Sequence, residues 1–262
     1  MLKYKKYIHQ TSEEWITFLH GAGCSSAVWY KQLRVFTDTY NVLLIDLRGH
    51  GESKQSIVAD TKHRYTFPDI ANEVVEVLDY EKIGKSHFVG LSLGSIVIRQ
   101  IAEMYPQRVS SMIMGGAVLK FNLEAKILLF LGNMVKSVVP YLVLYKIFAF
   151  AIIPRHNESR NLFIKEAKKI CNNELRRIFT LTVGINTIFY VFRQTELPNP
   201  TLYLMGESDH MFLGSIKKLM KSHTKYSQLV VVPHSGHAVN IDNPEFFNSQ
   251  ILTFLNNLTN IV

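Results

Sequence analysis

The sequence predicts an α/β fold: a mostly parallel β-sheet flanked by helices, interrupted in mid-chain by an all-helical insertion. Three observations lead there. Short β-branched and aromatic runs alternate with segments of helical period, the mark of βα units. The alternation lapses between Phe121 and Glu196, where helical patterns follow one another without a strand. The chain has 262 residues, 47% of them hydrophobic and 19% charged, enough apolar material for one large core and unlike a disordered or low-complexity chain.

In chain order, Leu2–His9 and Trp15–Leu19 read as the first strands, and Val28–Phe36 as the first helix. Val42–Asp46 is the next strand. Phe67–Glu81 follows as a helix, with Pro68 suited to its first turn. His87–Leu91 then leads into a helix over Leu93–Tyr105, and Ser111–Met114 is a further strand. The insertion divides into helical stretches at Leu123–Val139, Tyr141–Ile152, Glu158–Cys171 and Glu174–Phe192, and the prolines of Leu197–Pro200 return the chain to the core. Strands at Leu202–Met205 and Leu229–Val232 and helices at Leu213–Lys221 and Pro244–Leu258 complete it. Residues 1–120 and 196–262 are thus the two parts of one core, and 121–195 a helical cap. No internal repeat is present.

Charge and cysteine usage narrow the function classes. Lys and Arg number 29 against 21 Asp and Glu, a net charge of +8. The basic residues occur singly or in pairs without an aromatic-interleaved stripe, so no nucleic-acid partner is expected. Cys24 and Cys171 form neither a metal spacing nor a disulfide framework. The N-terminal MLKYKKYIHQTSEEW lacks the apolar run of a signal peptide, and the expected location is cytoplasmic. Ile127–Pro154 is apolar enough to test as a bilayer span, but Lys136 and Lys146 interrupt it and Pro140 breaks it. A pair of shorter helices is the better reading, with weak membrane-surface contact through the cap a minority option.

The sharpest chemical signal is Gly90-Leu91-Ser92-Leu93-Gly94, which closes a predicted strand and opens a predicted helix. A turn this tight needs small flanking residues, and it thrusts the serine hydroxyl out above the sheet edge. A serine needs a base and a group that orients the base. His237, in a loop after the last strand, is the chosen base, with His234 as competitor. Asp209, beyond the end of the Leu202–Met205 strand, is the chosen acid, with Glu207 as substitute. For the oxyanion, the backbone N–H groups of Leu93 and of Ala22 in His20-Gly21-Ala22-Gly23 are the expected donors. His20 is read as bracing that loop, and Arg48-Gly49-His50-Gly51 as a fold-bracing turn.

With these motifs in place, the chain resembles the α/β-hydrolase superfamily. His20–Gly23 with Ser25 and Trp29, Asp46–Ser53, Gly90–Gly94, Gly206–Asp209 and Gly236-His237 fall in that family's order and span most of the sequence. The resemblance implies a seven- or eight-stranded sheet, a cap inserted after the sixth strand, and a leading hairpin shortened here. A serine at position 92 disfavours the branches that use a carboxylate nucleophile. No phosphate-cradling glycine loop or metal-ligand cluster is evident, so chemistry without a cofactor or metal is expected.

The leading expectation is therefore a Ser-His-Asp hydrolase of a small-molecule carboxylic ester, thioester or lactone. Its apolar acyl part would be read by cap residues, among them Leu129, Phe130, Leu144 and Phe148. Two alternatives share the triad: a hydrolase-fold small-molecule sensor with slow turnover, and a C–C bond hydrolase or cofactor-free perhydrolase. Oligomeric state is not readable from the sequence.

Overall fold

The computed structural model describes residues 1–56, 65–135, 138–170, 181 and 185–259. Its centre is a seven-stranded sheet made of β1 (Lys3–Tyr7), β2 (Trp15–Leu19), β3 (Asn41–Asp46), β4 (Ser86–Leu91), β5 (Val109–Gly115), β6 (Thr201–Gly206) and β7 (Ser227–Val232). The strand order is β1-β3-β2-β4-β5-β6-β7. Only β1 runs antiparallel to its neighbour, pairing Lys3 with Asp46 and Tyr7 with Val42; the other pairs are parallel. Every residue of β3 and β6 is buried, which is why these strands read as unbroken apolar runs rather than alternating ones. The edge strand β1 carries Lys3, Lys5 and Lys6 and is largely exposed, and charge on an edge discourages pairing with another chain.

Helices cover both faces. On one face, α2 (Phe67–Tyr80) and α3 (Leu93–Met104) bury Ile70, Val74, Leu78, Val97 and Ile101 against the sheet. Thr66 caps α2 in a reciprocal box with Asp69, and Pro68 sits in the first turn. On the other face, α1 (Tyr30–Thr37) contributes Phe36, and the last helix contributes Phe247, Ile251 and Phe254. Phe18 meets Trp29 and Phe36 at ring separations of 5.1 and 5.5 Å.

Between β5 and β6 come α4 (Leu123–Val135), α5 (Tyr141–Ile152), α6 (Asn157–Ala167) and α7 (Ile185–Gln194). Because β5 and β6 are direct neighbours in register from Met112–Thr201 to Gly115–Leu204, the chain leaves the sheet and returns to the adjacent position. Helix α4 is described as far as Val135, and Val138 and Val139 at the end of the predicted stretch are not helical; Pro140 disfavours the helical conformation for the residue before it and N-caps α5 instead. The predicted helix over Glu174–Phe192 is described only from Ile185 onward, and Cys171 lies outside the described residues. The resemblance places the insertion after a sixth strand. Here it follows the fifth, because the leading edge holds one antiparallel strand and no hairpin. After β6 come α8 (Leu213–Leu219), β7, the short α9 (Val239–Asp242) and α10 (Pro244–Thr259). Among the described residues, no helix is long and apolar enough to cross a membrane.

Candidate active site

Ser92 sits between β4 and α3 with φ 52° and ψ −109°. A side chain in this left-handed region costs of order 1–3 kcal/mol and persists only where the surroundings impose it. They do so here through backbone contacts. The Ser92 N–H donates to Gly115 O at 3.0 Å, and the Ser95 hydroxyl donates to Ser92 O at 2.6 Å. A Cβ on Gly94 would lie 2.1 Å from Leu19 O, and one on Gly90 would lie 2.6 Å from the Gly94 carbonyl carbon. The glycines are therefore a steric requirement of the turn.

Asp209 and His237 are brought together from the loops after β6 and β7. His237 Nδ1 lies 2.9 Å from Asp209 Oδ2, and both side chains are almost fully buried. Asp209 Oδ1 accepts from the Phe212 N–H at 3.0 Å, so both carboxylate oxygens are engaged. The Phe212 ring packs against the imidazole, with centroids 5.0 Å apart. The two loops touch so closely that a Cβ on Gly206 would lie 1.9 Å from Gly236 O. Asp242 anchors the His237 loop by accepting the Gly236 N–H at 2.9 Å, and His156 of the inserted segment stands 3.7 Å from that carboxylate. With Nδ1 committed to Asp209, Nε2 is the imidazole nitrogen left to exchange a proton, and His237 and Ser92 line the same cavity. The competitors lie apart: the His234 N–H points to Glu207 Oε2 at 3.3 Å, and neither residue lines that cavity.

The loop after β2 is held by two neutral histidines. His20 Nδ1–H donates to Gly21 O at 2.8 Å, while its Nε2 accepts the Leu47 N–H at 3.0 Å. His50 Nδ1–H donates to Arg48 O at 2.9 Å, and its Nε2 accepts the Gly23 N–H at 3.1 Å. Burial lowers the pKa of His20, and burial followed by the neighbouring His20 takes His50 down to about 3. Their rings stand 4.9 Å apart. Asp46 ties in the flanking backbone by accepting the N–H groups of Ser26 and Glu52 at 2.6 and 2.8 Å. The Ala22 N–H has no acceptor among the described residues. Leu93 is the first residue of α3, where an amide lacks an intrahelical partner. Both residues line the cavity beside Ser92.

That cavity, about 190 Å³, is walled on its far side by the inserted helices and partly open. Leu128 and Leu129 of α4 and Tyr145, Phe148 and Ile152 of α5 line it, together with Phe121 and Phe212. Two predicted lining residues do not. Phe130 is 64% exposed, because it lies about a third of a turn beyond Leu129 on α4 and points away. Leu144 is buried instead with Tyr141 and Ile170, in a small cluster within the insertion. Phe150 also faces outward, stacked under the Arg160 guanidinium at 4.2 Å.

Sequence reasoning missed Tyr145 and Glu166. The Tyr145 hydroxyl donates to Ala22 O at 3.0 Å, tying α5 to the loop after β2. Glu166 of α6 accepts the Ser25 hydroxyl at 2.6 Å and pairs with Lys169. No local pattern marks either, since each finds its partner more than a hundred residues away. Cys24 lies in the same corner. Burial, then the charge of Glu166, push its thiol well up, so it stays protonated and is no nucleophile.

The arrangement can perform nucleophilic substitution at an acyl carbon: a hydroxyl held in a strained turn, an imidazole oriented by a carboxylate, and two amides beside the hydroxyl. A family model described as alpha/beta hydrolase fold matches residues 14–139. The putative carbamate hydrolase RutD of Pseudomonas savastanoi pv. phaseolicola is 28% identical over 249 residues, covering 90% of this chain and 91% of that protein. The structure of MenH from S. aureus superposes with a TM-score of 0.81 at 21% identity, covering 98% of this chain and 99% of that one. The enol-lactonase from Burkholderia xenovorans LB400 does so at 0.76 and 18%, covering 97% and 96%. The two structural likenesses are likenesses of fold.

Proposed function

We propose that this chain, whose fold is that of the α/β hydrolases, is a serine hydrolase of carboxylic esters with an apolar acyl part. The observation that carries this reading is the composition of one cavity wall: Ser92, His237, Ala22 and Leu93 share it with apolar side chains, and among the described residues no Asp, Glu, Lys or Arg lines it. In the proposed reaction the Ser92 hydroxyl attacks the ester carbonyl while His237 Nε2 takes its proton. Asp209 keeps the imidazole in the required tautomer and stabilises the imidazolium. The N–H groups of Ala22 and Leu93 receive the developing oxyanion. His237 returns the proton to the departing alcohol, and water then repeats the sequence on the acyl-enzyme.

Residues 121–195 serve as the cap over this site, with 1–120 and 196–262 as the catalytic core. The acyl chain lies among Leu128, Leu129 and Phe148. A cavity of about 190 Å³ is somewhat larger than the apolar cavity of roughly 150 Å³ that takes up benzene, so a short to medium acyl group fits. The names of the relatives favour a second reading, in which the same triad acts on a carbamate or a lactone. A lactone presents the same carbonyl chemistry. A small anionic carbamate would meet no counter-charge among the described lining residues, which disfavours it.

Ser92→Ala should lower kcat on a soluble acyl ester by about four orders of magnitude or more and abolish labelling by a fluorophosphonate. Parental turnover by this variant would refute the assignment. In a series with a constant alcohol, octanoyl and butanoyl esters should react faster than acetyl, and a half-ester of succinate should react slowest. Equal rates across the series would remove the apolar-acyl part of the proposal.

A further inference from the structure

Helices α4 and α5 are apolar on both sides. Their inner sides line the cavity, while Ile127, Phe130 and Met134 of α4 and Val143, Ile147 and Phe150 of α5 face solvent, with Met134 67% exposed. Ten of the eighteen large apolar side chains exposed among the described residues fall between Leu123 and Phe150. Isolated exposed apolar residues need no explanation, but a concentration of them on two successive helices marks an interaction surface.

We propose that this face docks on an anionic lipid surface, with α4 and α5 lying in the plane of the headgroups. Charge selects this occupant. Residues 121–195 hold eleven of the chain's basic residues against four acidic ones, so +7 of the net +8 resides in the insertion. Two of these lysines lie within the apolar face itself. Lys126 is three residues after Leu123 and four before Phe130; Lys146 is three after Val143 and four before Phe150. Both are exposed. Side chains at those spacings share one side of a helix, and a lysine there can bury its methylenes among lipid tails while its ammonium reaches phosphate. Glu124, the acidic residue of α4, turns aside toward His210 of the core at 3.8 Å. With 13 and 12 residues, α4 and α5 are too short to span a bilayer. Two helices apolar inside and out, each with a lysine on its exposed side and each too short to cross, fit the interface.

The test is co-sedimentation of the full chain with vesicles of phosphatidylcholine alone and of equal parts phosphatidylcholine and phosphatidylglycerol. The protein should pellet with the anionic vesicles, several-fold less with the neutral ones, and less again as salt is raised. Lys126→Glu combined with Lys146→Glu should weaken partitioning more than tenfold, at about fivefold for each lysine lost. Ile127→Glu combined with Met134→Glu should leave the protein in the supernatant. Thermal unfolding by circular dichroism shows that each variant is folded. A parent protein that stays in the supernatant with anionic vesicles, or pelleting unchanged by both pairs of substitutions, would overturn the proposal. A dimer in sedimentation equilibrium that Met134→Glu dissociates would assign the face to a second copy and overturn it equally. Pelleting requires no turnover, so this proposal and the reaction proposed above fail separately.

Discussion

Across one cavity, the rim of the sheet and the inserted helices meet as two different kinds of structure. At the rim, Ser92, Asp209 and His237 are placed by backbone. A positive φ, glycines that exclude a Cβ, and loops touching at Gly206 and Gly236 leave the side chains little choice. On the opposite wall, Leu128, Leu129, Phe148 and Ile152 are placed by which side of a helix they occupy. The difference teaches where change is tolerated. Substitution at the rim alters chemistry or folding, whereas an apolar exchange on the helices of similar volume costs less than about 1.5 kcal/mol and reshapes the cavity.

The largest effect expected from this contrast is at Asp209. Asp209→Asn should lower kcat by about four orders of magnitude, roughly 5.5 kcal/mol, with the fold retained. Steady-state kinetics with circular dichroism checks it, and a loss under tenfold would mean that the carboxylate does not orient His237. Next comes Gly94→Ala, which drives a methyl group to within 2.1 Å of Leu19 O and should cost about 3 kcal/mol of stability. Leu129→Ala, on the partly open helical wall, should cost less and instead shift acyl-length preference. Urea unfolding of the two variants side by side decides whether rim and helices differ in tolerance.

The third effect is a pH dependence built into the rim. His50 titrates near 3 in the folded protein, because burial disfavours its charged form, against about 6.5 in an unfolded chain. Below 6.5 the unfolded chain takes up a proton that the folded one refuses. Stability is therefore full above about 6.5 and falls as pH drops toward 3. His50 alone should remove about 2 kcal/mol between pH 7 and 5, and His20 shifts in the same direction. Unfolding free energies equal at pH 7 and 5 would contradict it.

The smallest effect concerns a bond that joins the two regions. Tyr145→Phe removes the hydroxyl that holds Ala22 O, worth about 1 kcal/mol. It should lower kcat about fivefold with little change in KM for a short acyl ester. An unchanged kcat would show that the loop after β2 keeps its place without α5.

Much of the rim was readable in advance because its requirements are local. The Gly-x-Ser-x-Gly turn, the acid beyond β6 and the histidine loop after β7 each follow a buried strand. The strands stand out because burial on both faces leaves unbroken apolar runs. Helix α5 was readable from Tyr141 to Ile152, since Pro140 marks its start. Its facing was not. Phe130 and Leu144 are as apolar as Leu129 and Phe148, yet one meets solvent and the other a cluster inside the insertion. Tyr145 and Glu166 carried no signal at all, because a hydroxyl or carboxylate in a helix is indistinguishable from a surface residue until its partner arrives.

By itself, then, the amino-acid order determined which segments become strands, where the tight turn falls, and which acid and histidine follow the late strands, for these depend on short-range sterics and on apolar runs. Only the tertiary structure decided which sides of α4 and α5 line the cavity, which polar group ties α5 to the loop after β2, and which apolar residues stay in water. A helix uniformly rich in apolar residues has no preferred direction about its own axis, and its orientation is set by the surface against which it packs.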